Sequence, residues 1–451
     1  MEFQAIIMAA GRGSRMSDLT SCMPKALLPV ANRPLVWYPV NMLETSGFSE
    51  ATIVVCETDL QSILKTLEQI CDVKIKLHFV SIPYEEDWGT LDSLRHIADQ
   101  IKSDLLVVSC DLICSVQLHQ MADLHRTRDA ALTMLLAPSP DVSEASVPGG
   151  KANRKVEHDV VGLSPDNRLL FISSEADLEQ TLTFKHSFLK KFPMVRLKNR
   201  VMDAHLYFMK RSLLDHACDG ALSTSTTIKG EFIPHLVRRQ FRRRHCAKDQ
   251  DQSLNMTADV RQDGGENEDG FSRLVQEYST HPNDSASMRD CFHGDRMKCY
   301  AIMVKDELCV RVNTLVSYCE ANRQMAKELA RVGVLDEPLV APSVQIPSKS
   351  TVGADSLMAE GSSVGERSGI KRSVIGKHCV IGDHVKITNC IIMNHVTIEE
   401  GSTLSGTVVC SEARLGAKCE LKDCLVTGGQ SVIGKSTNEV IVNLEQLMEV
   451  E

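Results

Sequence analysis

The chain has 451 residues, enough for two or three domains that each bury a core. Hydrophobic residues make up 43% and charged residues 24%, which is ordinary for a globular protein and excludes overall disorder. The net charge of −9 gives no electrostatic reason to expect nucleic acid or an anionic membrane as a partner. The N-terminus lacks a basic segment and no apolar run is long enough for a signal core or membrane span, so we expect a cytosolic protein.

The first part of the chain alternates short β-rich runs with amphipathic helical patterns. Such alternation predicts parallel βαβ units with right-handed crossovers and helices on both faces of the sheet. Ligands of such sheets bind at the carboxyl ends of the strands. Predicted strands cover Ala5–Met8, Thr52–Val55, Ile75–Phe79 and Leu105–Ser109, and predicted helices cover Leu35–Thr45, Leu60–Ile70, Leu91–Ile101 and Leu118–Arg126.

A glycine-containing loop follows the first predicted strand. Gly11 and Gly13 let backbone amides approach a phosphate, and Arg15 and Lys25 can neutralise a triphosphate or pyrophosphate. The loop is not a dinucleotide fingerprint, because Met16 stands where a third glycine is required, and no Gly-Lys-Ser/Thr of a Walker loop follows. The pattern predicts a phosphate site, although Gly-x-Gly alone is more often a simple turn.

Regular patterning stops in the middle of the chain. Residues 244–295 are rich in Asp, Gln, Glu and Gly and poor in aromatic residues, which predicts a disordered insertion. The arginines before it suit a solvated helix face better than a binding patch: Arg238, Arg239, Arg242, Arg243 and Arg244. Patterning resumes at Cys299 and continues through a helix predicted over Thr314–Val332, so we place the first domain at 1–335.

The last hundred residues carry apolar positions at a spacing of 6, 6 and 5, so that each column recurs every 17 residues. Neither a helix nor a flat sheet has this period, but three short strands per coil of a β-helix explain it. We predict a β-helix over 340–436 and a tail over 437–451. The inward positions are Met358, Val364, Ile370, Ile375, Ile381, Ile387, Ile392, Ile398, Leu404, Val409, Leu415, Leu421, Val426 and Val432.

Two further features of the repeats lead to expectations. Gly365, Gly382 and Gly416 each follow an inward residue, where we expect tight corners that need free φ. Leu357 and Val374 lie outside the columns and form either a partner-binding face or ordinary scattered surface.

The 16 cysteines are scattered, with no Cys-x-x-Cys pair, and we interpret them as buried thiols. The close pairs Cys110/Cys114 and Cys419/Cys424 fall in different domains, so no structural zinc site is predicted.

The stretch from Ile6 to Pro34 resembles the signature of sugar-nucleotide pyrophosphorylases, with its Ala-Ala-Gly-x-Gly-Ser-Arg and Met-Pro-Lys-Ala-Leu-Leu-Pro-Val segments. The resemblance implies an α/β nucleotidyltransferase-like, Rossmann-like domain with a mostly parallel sheet, followed by a left-handed β-helix of hexapeptide repeats. It also implies nucleotide or phosphate contacts, and one magnesium-binding carboxylate, at these positions: Gly11, Gly13, Ser14, Arg15, Lys25, Gly89, Thr90 and, for the metal, Asp111.

The sequence differs from that superfamily at the positions expected to bind the base, the sugar phosphate and the metal. Leu91, Asp92 and Ser93 replace small residues and could crowd or repel a base, and no Glu-Lys-Pro segment is recognisable near 171–175. Arg311 stands where the second metal-binding aspartate is expected, in Arg-Val-Asn-Thr. An arginine there removes a ligand and places a cation at the ion's position, so we predict impaired metal-assisted transfer and no catalytic residues.

This combination of features resembles the gamma-subunit family of the guanine-nucleotide exchange factor for eukaryotic translation initiation factor two. The resemblance implies a non-catalytic scaffold or regulatory subunit that assists exchange by the epsilon subunit. Its implied partners are the other exchange-factor subunits and initiation factor two, with no direct nucleic acid and no membrane. No cofactor is required, although weak binding of GTP or a sugar nucleotide is expected.

Two alternatives stay open. The first is an active pyrophosphorylase such as mannose-1-phosphate guanylyltransferase, against which Arg311 and the missing lysine segment argue. The second is a self-associating β-helix protein that binds no nucleotide.

Overall fold

A computed structural model describes residues 2–21, 23–69, 73–84, 86, 88–139, 148, 158–178, 189, 192–218, 222, 224–240, 297–332 and 338–441. The insertion predicted at 244–295, the arginines at 242–244 and the tail beyond 441 lie outside the described residues. Among the residues it does describe, no helix is both long and apolar enough to cross a bilayer.

The N-terminal domain is built around one large mixed sheet. The strands of this domain are β1 (Phe3–Met8), β2 (Pro29–Val30), β3 (Arg33–Pro34), β4 (Glu50–Cys56), β5 (Lys76–Ile82), β6 (Asp104–Ser109), β7 (Leu112–Cys114), β8 (Leu132–Pro138), β9 (Asp159–Leu163), β10 (Leu169–Ser174), β11 (Arg196–Met209), β12 (Cys299–Met303) and β13 (Cys309–Arg311). Strands β2 and β3 form a separate two-stranded sheet, as do β7 and β13, and the other strands form the large sheet. Its helices are α1 (Ser17–Thr20), α2 (Trp37–Thr45), α3 (Leu60–Gln69), α4 (Thr90–His96), α5 (Leu118–Thr127), α6 (Arg211–Cys218), α7 (Ile233–Arg239) and α8 (Leu315–Glu328).

Strands β6, β1, β4 and β5 lie side by side in that order and are parallel. This is the doubly wound arrangement that the alternating pattern predicts. Strand β11 joins antiparallel to β6 and extends the sheet towards β9 and β10, with β8 and β12 beside it. Strands β8 to β12 come after the part of the chain in which β-rich runs and helical patterns alternate regularly.

Both faces of the sheet are buried under helices. In β1, Ile6 belongs to one apolar cluster and the next residue, Ile7, belongs to the other, because successive side chains of a strand point to opposite faces. Both side chains are almost fully buried. Burial on both faces explains why these strands read as continuous apolar runs.

The C-terminal domain is a β-helix of three parallel sheets, as the 17-residue period predicts. The first sheet holds β14 (Thr351–Val352), β17 (Gly369–Lys371), β20 (Lys386–Thr388), β23 (Thr403–Ser405), β26 (Glu420–Lys422) and β29 (Lys435–Thr437). The second holds β15 (Leu357–Met358), β18 (Val374–Ile375), β21 (Ile391–Ile392), β24 (Val408–Val409), β27 (Leu425–Val426) and β30 (Val440–Ile441). The third holds β16 (Ser363–Val364), β19 (Val380–Ile381), β22 (Thr397–Ile398), β25 (Arg414–Leu415) and β28 (Ser431–Val432).

Every predicted inward residue is buried, and equivalent residues of successive coils pair directly. Ile370 pairs with Ile387, which pairs with Leu404 and then with Leu421 in the next coils. Their exposed fractions are at most 2%. The columns predicted from the sequence are therefore confirmed.

The prediction about corner glycines is wrong. Gly365, Gly382 and Gly416 do not have positive φ; instead, a Cβ on Gly365 would come within 2.4 Å of the carbonyl carbon of Gly382 in the next coil. These glycines are needed because stacked coils approach closely. The left-handed corners are formed at other positions, where non-glycine residues such as His378 and His395 have φ of 53° and 58°.

Leu357 and Val374 are neither a free partner face nor scattered surface. They belong to a fourth apolar column that also repeats every 17 residues, and all of its side chains are buried: Leu357, Val374, Ile391, Val408 and Leu425. This outer column packs in one cluster with Leu315, Tyr318 and Met325 of α8. The two domains therefore share an apolar interface.

We expect replacement of Ile398 by Asp to destabilise the chain by several kcal/mol, because it buries an unpaired carboxylate in the inward column. Val380 is a matched control, since it lies on the neighbouring strand of the same sheet but is 50% exposed. Val380→Asp should unfold thermally like the natural chain. Equal midpoints for Ile398→Asp and the natural chain would contradict the column assignment.

His125 packs between Phe3 and Phe208 and is hydrogen-bonded to Thr133. Burial, helped by the charge of Lys210, lowers its pKa to about 4. As the pH is lowered, the unfolded chain binds a proton at His125 near pH 6.5, whereas the folded chain does not bind it until about pH 4. The free energy of unfolding therefore falls as the pH drops from 6.5 to about 4.

Urea unfolding at pH 7 and pH 5 measures this loss, which should be about 2 kcal/mol larger for the natural chain than for His125→Gln. His78→Gln controls for replacing a histidine by glutamine, because 47% of the His78 side chain is exposed at the surface. Equal losses in all three proteins would refute the assignment.

Candidate functional site

The loop after β1 lies at the carboxyl end of the parallel strands, where a doubly wound sheet binds ligands. Gly13 has φ of 71°, and a Cβ there would come within 2.7 Å of the Thr20 side chain. Its carbonyl accepts the Met16 amide at 2.8 Å and closes the turn. Gly11 has open space around its Cα. Gly11, Ser14 and Arg15 are exposed at the surface of the loop.

The centre of the site is Asp111, which follows β6 and is 1% exposed. Lys25, from the 3-10 turn Lys25–Leu27, forms an ion pair with its Oδ2 atom. Arg311 Nε lies 3.2 Å from Oδ1, and the Ser109 hydroxyl donates to the same oxygen at 2.6 Å. Both carboxylate oxygens are thus engaged by side chains of the protein itself.

Strand pairing brings Arg311 to this position. Strand β13 runs antiparallel to β7, and Arg311 pairs with Leu112, the residue after Asp111. The Val312 amide donates to the Asp111 carbonyl at 2.8 Å, which fixes the backbone of the two residues together. Arg311, which the resemblance placed at the second metal position, therefore contacts Asp111, the residue expected at the first metal position.

The charges explain the ionisation of the site. Burial alone would raise the pKa of Asp111, but Arg311 and Lys25 outweigh it and hold the pKa well below the usual range. Asp111 is therefore a carboxylate at neutral pH. Its charge is balanced by two cations, and a Mg²⁺ ion would need these same oxygens.

These residues do not fit a magnesium ion. Among the described residues, no group of three or more His, Cys, Asp or Glu side chains is arranged to hold a metal. The Arg311 guanidinium lies 3.2 Å from Asp111 Oδ1, so a cationic side chain already occupies this side of the carboxylate.

The predicted base-binding segment caps a helix. Gly89 is the N-cap of α4, and a Cβ on it would come within 2.1 Å of the Thr226 carbonyl oxygen. Thr90 Oγ1 accepts the Ile228 amide at 2.9 Å, and the Leu91 amide donates to Thr226 at 2.8 Å. The Gly-Thr segment is thus packed against another part of its own chain.

Asp92 and Ser93 point towards that cap rather than standing free. Asp92 accepts the Gly89 amide at 3.1 Å and pairs with Arg95 at 2.7 Å. Ser93 is buried and donates to the Gly89 carbonyl at 2.9 Å. The carboxylate that the sequence suggested would repel a ligand is therefore already neutralised by Arg95.

Sequence reasoning missed a buried polar group beside the site. Tyr207 donates to Asp203 at 2.6 Å, and His205 lies between them at a register shift of β11 with φ of 52°. Burial and then the Arg311 charge hold the pKa of His205 well below its usual range, so its ring is neutral at neutral pH.

A lysine was missed as well. Lys229 lies in a π-helical turn, Ile228–Phe232, and its Nζ is 2.9 Å from Oδ2 of the buried Asp159. π-helical turns are frequent at functional sites, but the sequence shows no period that would reveal one. No Glu-Lys-Pro segment pointed to this lysine.

The loop that contains Pro24, Pro29 and Pro34 is held by α8. Tyr318 donates to the Pro29 carbonyl at 2.8 Å, and Asn322 accepts the Ala31 amide at 3.0 Å. Asn32, at the tip of the β2–β3 hairpin, donates to the Ile375 carbonyl of the β-helix at 3.0 Å. One hairpin therefore connects the segment carrying Lys25 to both α8 and the second domain.

Exchanging Arg311 for Asp should make the site respond to magnesium. We expect the variant to lose about 3 kcal/mol of stability without divalent ions, because Asp111 loses one buried partner. Mg²⁺ should restore part of that stability, since two neighbouring carboxylates suit a hard cation. The midpoint of thermal unfolding with and without Mg²⁺ measures the effect.

Arg323→Asp is the control for a charge reversal, because Arg323 lies on the exposed side of α8 and pairs only locally with Glu320. Neither it nor the natural chain should respond to Mg²⁺. A variant at position 311 that ignores Mg²⁺ would show that Arg311 is not what keeps the ion out.

Two family models match the chain. Residues 4–146 match the nucleotidyl transferase model, and residues 339–438 match the left-handed β-helix (LbH) domain of the eIF2B epsilon subunit. The predicted fold class, including the left-handed β-helix, is therefore confirmed.

Two relatives that align with most of the chain are eIF2B gamma subunits. The chain is 28% identical to the translation initiation factor eIF2B subunit gamma of Dictyostelium discoideum, over 84% of this chain and 88% of the relative. It is also 28% identical to the gamma subunit of Schizosaccharomyces pombe, over 94% of this chain and 86% of the relative.

Similarity to enzymes is more restricted. The mannose-1-phosphate guanyltransferase of Candida albicans is 27% identical over only 32% of this chain and 40% of the enzyme. The eIF2B gamma subunits of D. discoideum and S. pombe, in contrast, align with most of this chain. This chain is therefore a homologue of eIF2B gamma subunits, and its N-terminal domain matches the nucleotidyl transferase model.

Proposed function

We propose that this chain is a non-catalytic scaffold and regulatory subunit of the guanine-nucleotide exchange complex for translation initiation factor two. In that role it assists GDP-to-GTP exchange by the epsilon subunit and contributes to binding of the initiation factor. Similarity to gamma subunits over most of both chains supports membership of such a complex.

The non-catalytic part of the proposal rests on the Asp111 carboxylate, which already pairs with two cationic side chains. Nucleotidyl transfer assisted by a metal needs oxygen ligands that are open to the ion, because the ion aligns phosphates and neutralises charge. Asp111 instead holds Lys25 and Arg311, and each of these two side chains is only 12% exposed. To recruit an ion, the protein would have to break two ion pairs in a poorly solvated place.

The architecture supports the scaffold part. Leu357, Val374, Ile391, Val408 and Leu425 pack against the N-terminal domain and fix the β-helix to it. A fixed arrangement of two domains presents their outer surfaces in one constant geometry, which suits a protein that assembles with others. Weak binding of GTP or a sugar nucleotide at Gly11, Arg15 and Lys25 stays part of the proposal.

The test is affinity purification of the tagged chain from cytosol, followed by mass spectrometry of its partners and a GDP-release assay on initiation factor two. We expect the other exchange subunits, epsilon among them, and release activity that the chain alone lacks. Release of pyrophosphate from GTP and mannose 1-phosphate by the pure chain would overturn the proposal and establish the enzyme. A clean homo-oligomer that binds no nucleotide would favour a self-associating β-helix protein.

In the purified complex, Lys25→Ala should leave the rate of GDP release within about twofold of the natural complex, because Arg311 still neutralises Asp111. Lys25→Arg serves as the charge-preserving control. A severe loss of release in Lys25→Ala, with unchanged assembly and thermal midpoint, would instead assign the pocket a direct regulatory role.

A further inference from the structure

Two cysteines face each other across the strand pair that carries Arg311. Cys309 of β13 and Cys114 of β7 are directly opposite in the antiparallel register. Cys114 is 6% exposed and Cys309 is partly exposed. They are separated by almost two hundred residues of sequence, so neither the spacing nor a motif pointed to this pair.

The hydrogen bonds of the two strands show which kind of pair this is. The Val312 amide donates to Asp111 and the Ser115 amide donates to Leu308, at 2.8 and 2.9 Å. Bonded and non-bonded pairs alternate along an antiparallel ladder, so Cys114 and Cys309 form a non-hydrogen-bonded pair. In such pairs the Cα atoms are about 4.5 Å apart and the side chains are close.

That separation lies within the range of about 4.4 to 6.8 Å that disulfides span. The two side chains also belong to the same apolar cluster. A disulfide between them therefore needs no backbone movement of either strand.

Cys114 Sγ accepts the Val116 amide at 3.3 Å, which holds this sulfur in place at the end of β7. The adjacent Cys114 and burial raise the pKa of Cys309 well above its ordinary value, so Cys309 is a protonated thiol at neutral pH.

We propose that Cys114 and Cys309 form a reversible cross-strand disulfide when a small hydroperoxide reaches them. One of the two sulfurs attacks a peroxide oxygen, the O–O bond breaks, the thiol proton goes to the leaving hydroxide, and a sulfenic acid and one water are formed from hydrogen peroxide. The other sulfur then attacks the sulfenic sulfur, the S–O bond breaks, and a second water leaves with the remaining thiol proton. Two thiols are oxidised and one peroxide is reduced to two waters.

The cross-link would tie β13 to β7 two residues from Arg311 and three from Asp111. Oxidation would thus hold Arg311 on the carboxylate, and reduction would leave that contact to the ion pair alone. This inference does not depend on the proposed function, because it concerns thiols and not the exchange complex.

The test uses the full natural chain treated with hydrogen peroxide, then alkylated with iodoacetamide under denaturing conditions and digested for mass spectrometry. We expect a peptide pair joined through Cys114 and Cys309, lower in mass by two hydrogen atoms and lost after dithiothreitol. Recovery of both cysteines in alkylated form, at a peroxide dose that oxidises the exposed Cys218, would overturn the proposal. So would a cross-link from Cys114 to the neighbouring Cys110 instead.

Matched variants separate the pair from general oxidation. Cys309→Ser should abolish the cross-link, whereas Cys299→Ser, at a buried cysteine of β12, should retain it. Peroxide should raise the midpoint of thermal unfolding in the natural chain and in Cys299→Ser, but not in Cys309→Ser, because the cross-link restricts the unfolded chain. A rise of the same size in Cys309→Ser would refute the assignment.

Discussion

The candidate site depends on one buried carboxylate with two cations. Asp111 is at the end of a central strand, where burial alone would favour its neutral form, and Lys25 and Arg311 make the charged form stable there. Each of the three groups comes from a different part of the chain: a loop after the first strand, the end of a central strand, and a strand near the end of the domain. The ion pairs therefore both neutralise the site and join these parts. A buried group of this kind is costly to form but also costly to break, because removing one partner leaves an uncompensated charge.

The fold could be predicted from the sequence where a regular spacing of apolar residues repeats along the chain. In the β-helix, each inward residue is surrounded by the residues 17 positions before and after it, so the period is visible directly in the chain. The parallel strands were also predictable, because burial on both faces makes them continuously apolar. The same reasoning failed for the outer column that begins at Leu357, since its role depends on α8, which lies elsewhere in the sequence.

The candidate site was predictable only in part, for a related reason. Lys25, Asp111 and Arg311 were found from local motifs, and the structure brings these three together. Gly89 and Thr90 directly precede the helix predicted from Leu91, but their contact with residues 226–228 could not be foreseen. Lys229 and His205 were missed because a π-helical turn and a register shift give a sequence no periodic pattern.

The outer column has a consequence for how the length of the β-helix can change. An insertion or deletion keeps the inward columns aligned only if it adds or removes whole coils, which means steps of 17 residues. Even a whole coil alters the match with the N-terminal domain, because each coil contributes one outer side chain to a surface of fixed extent. One coil more would leave an apolar side chain without cover, and one coil fewer would leave part of that surface bare. The extent of this surface on the N-terminal domain therefore limits the number of coils in the β-helix.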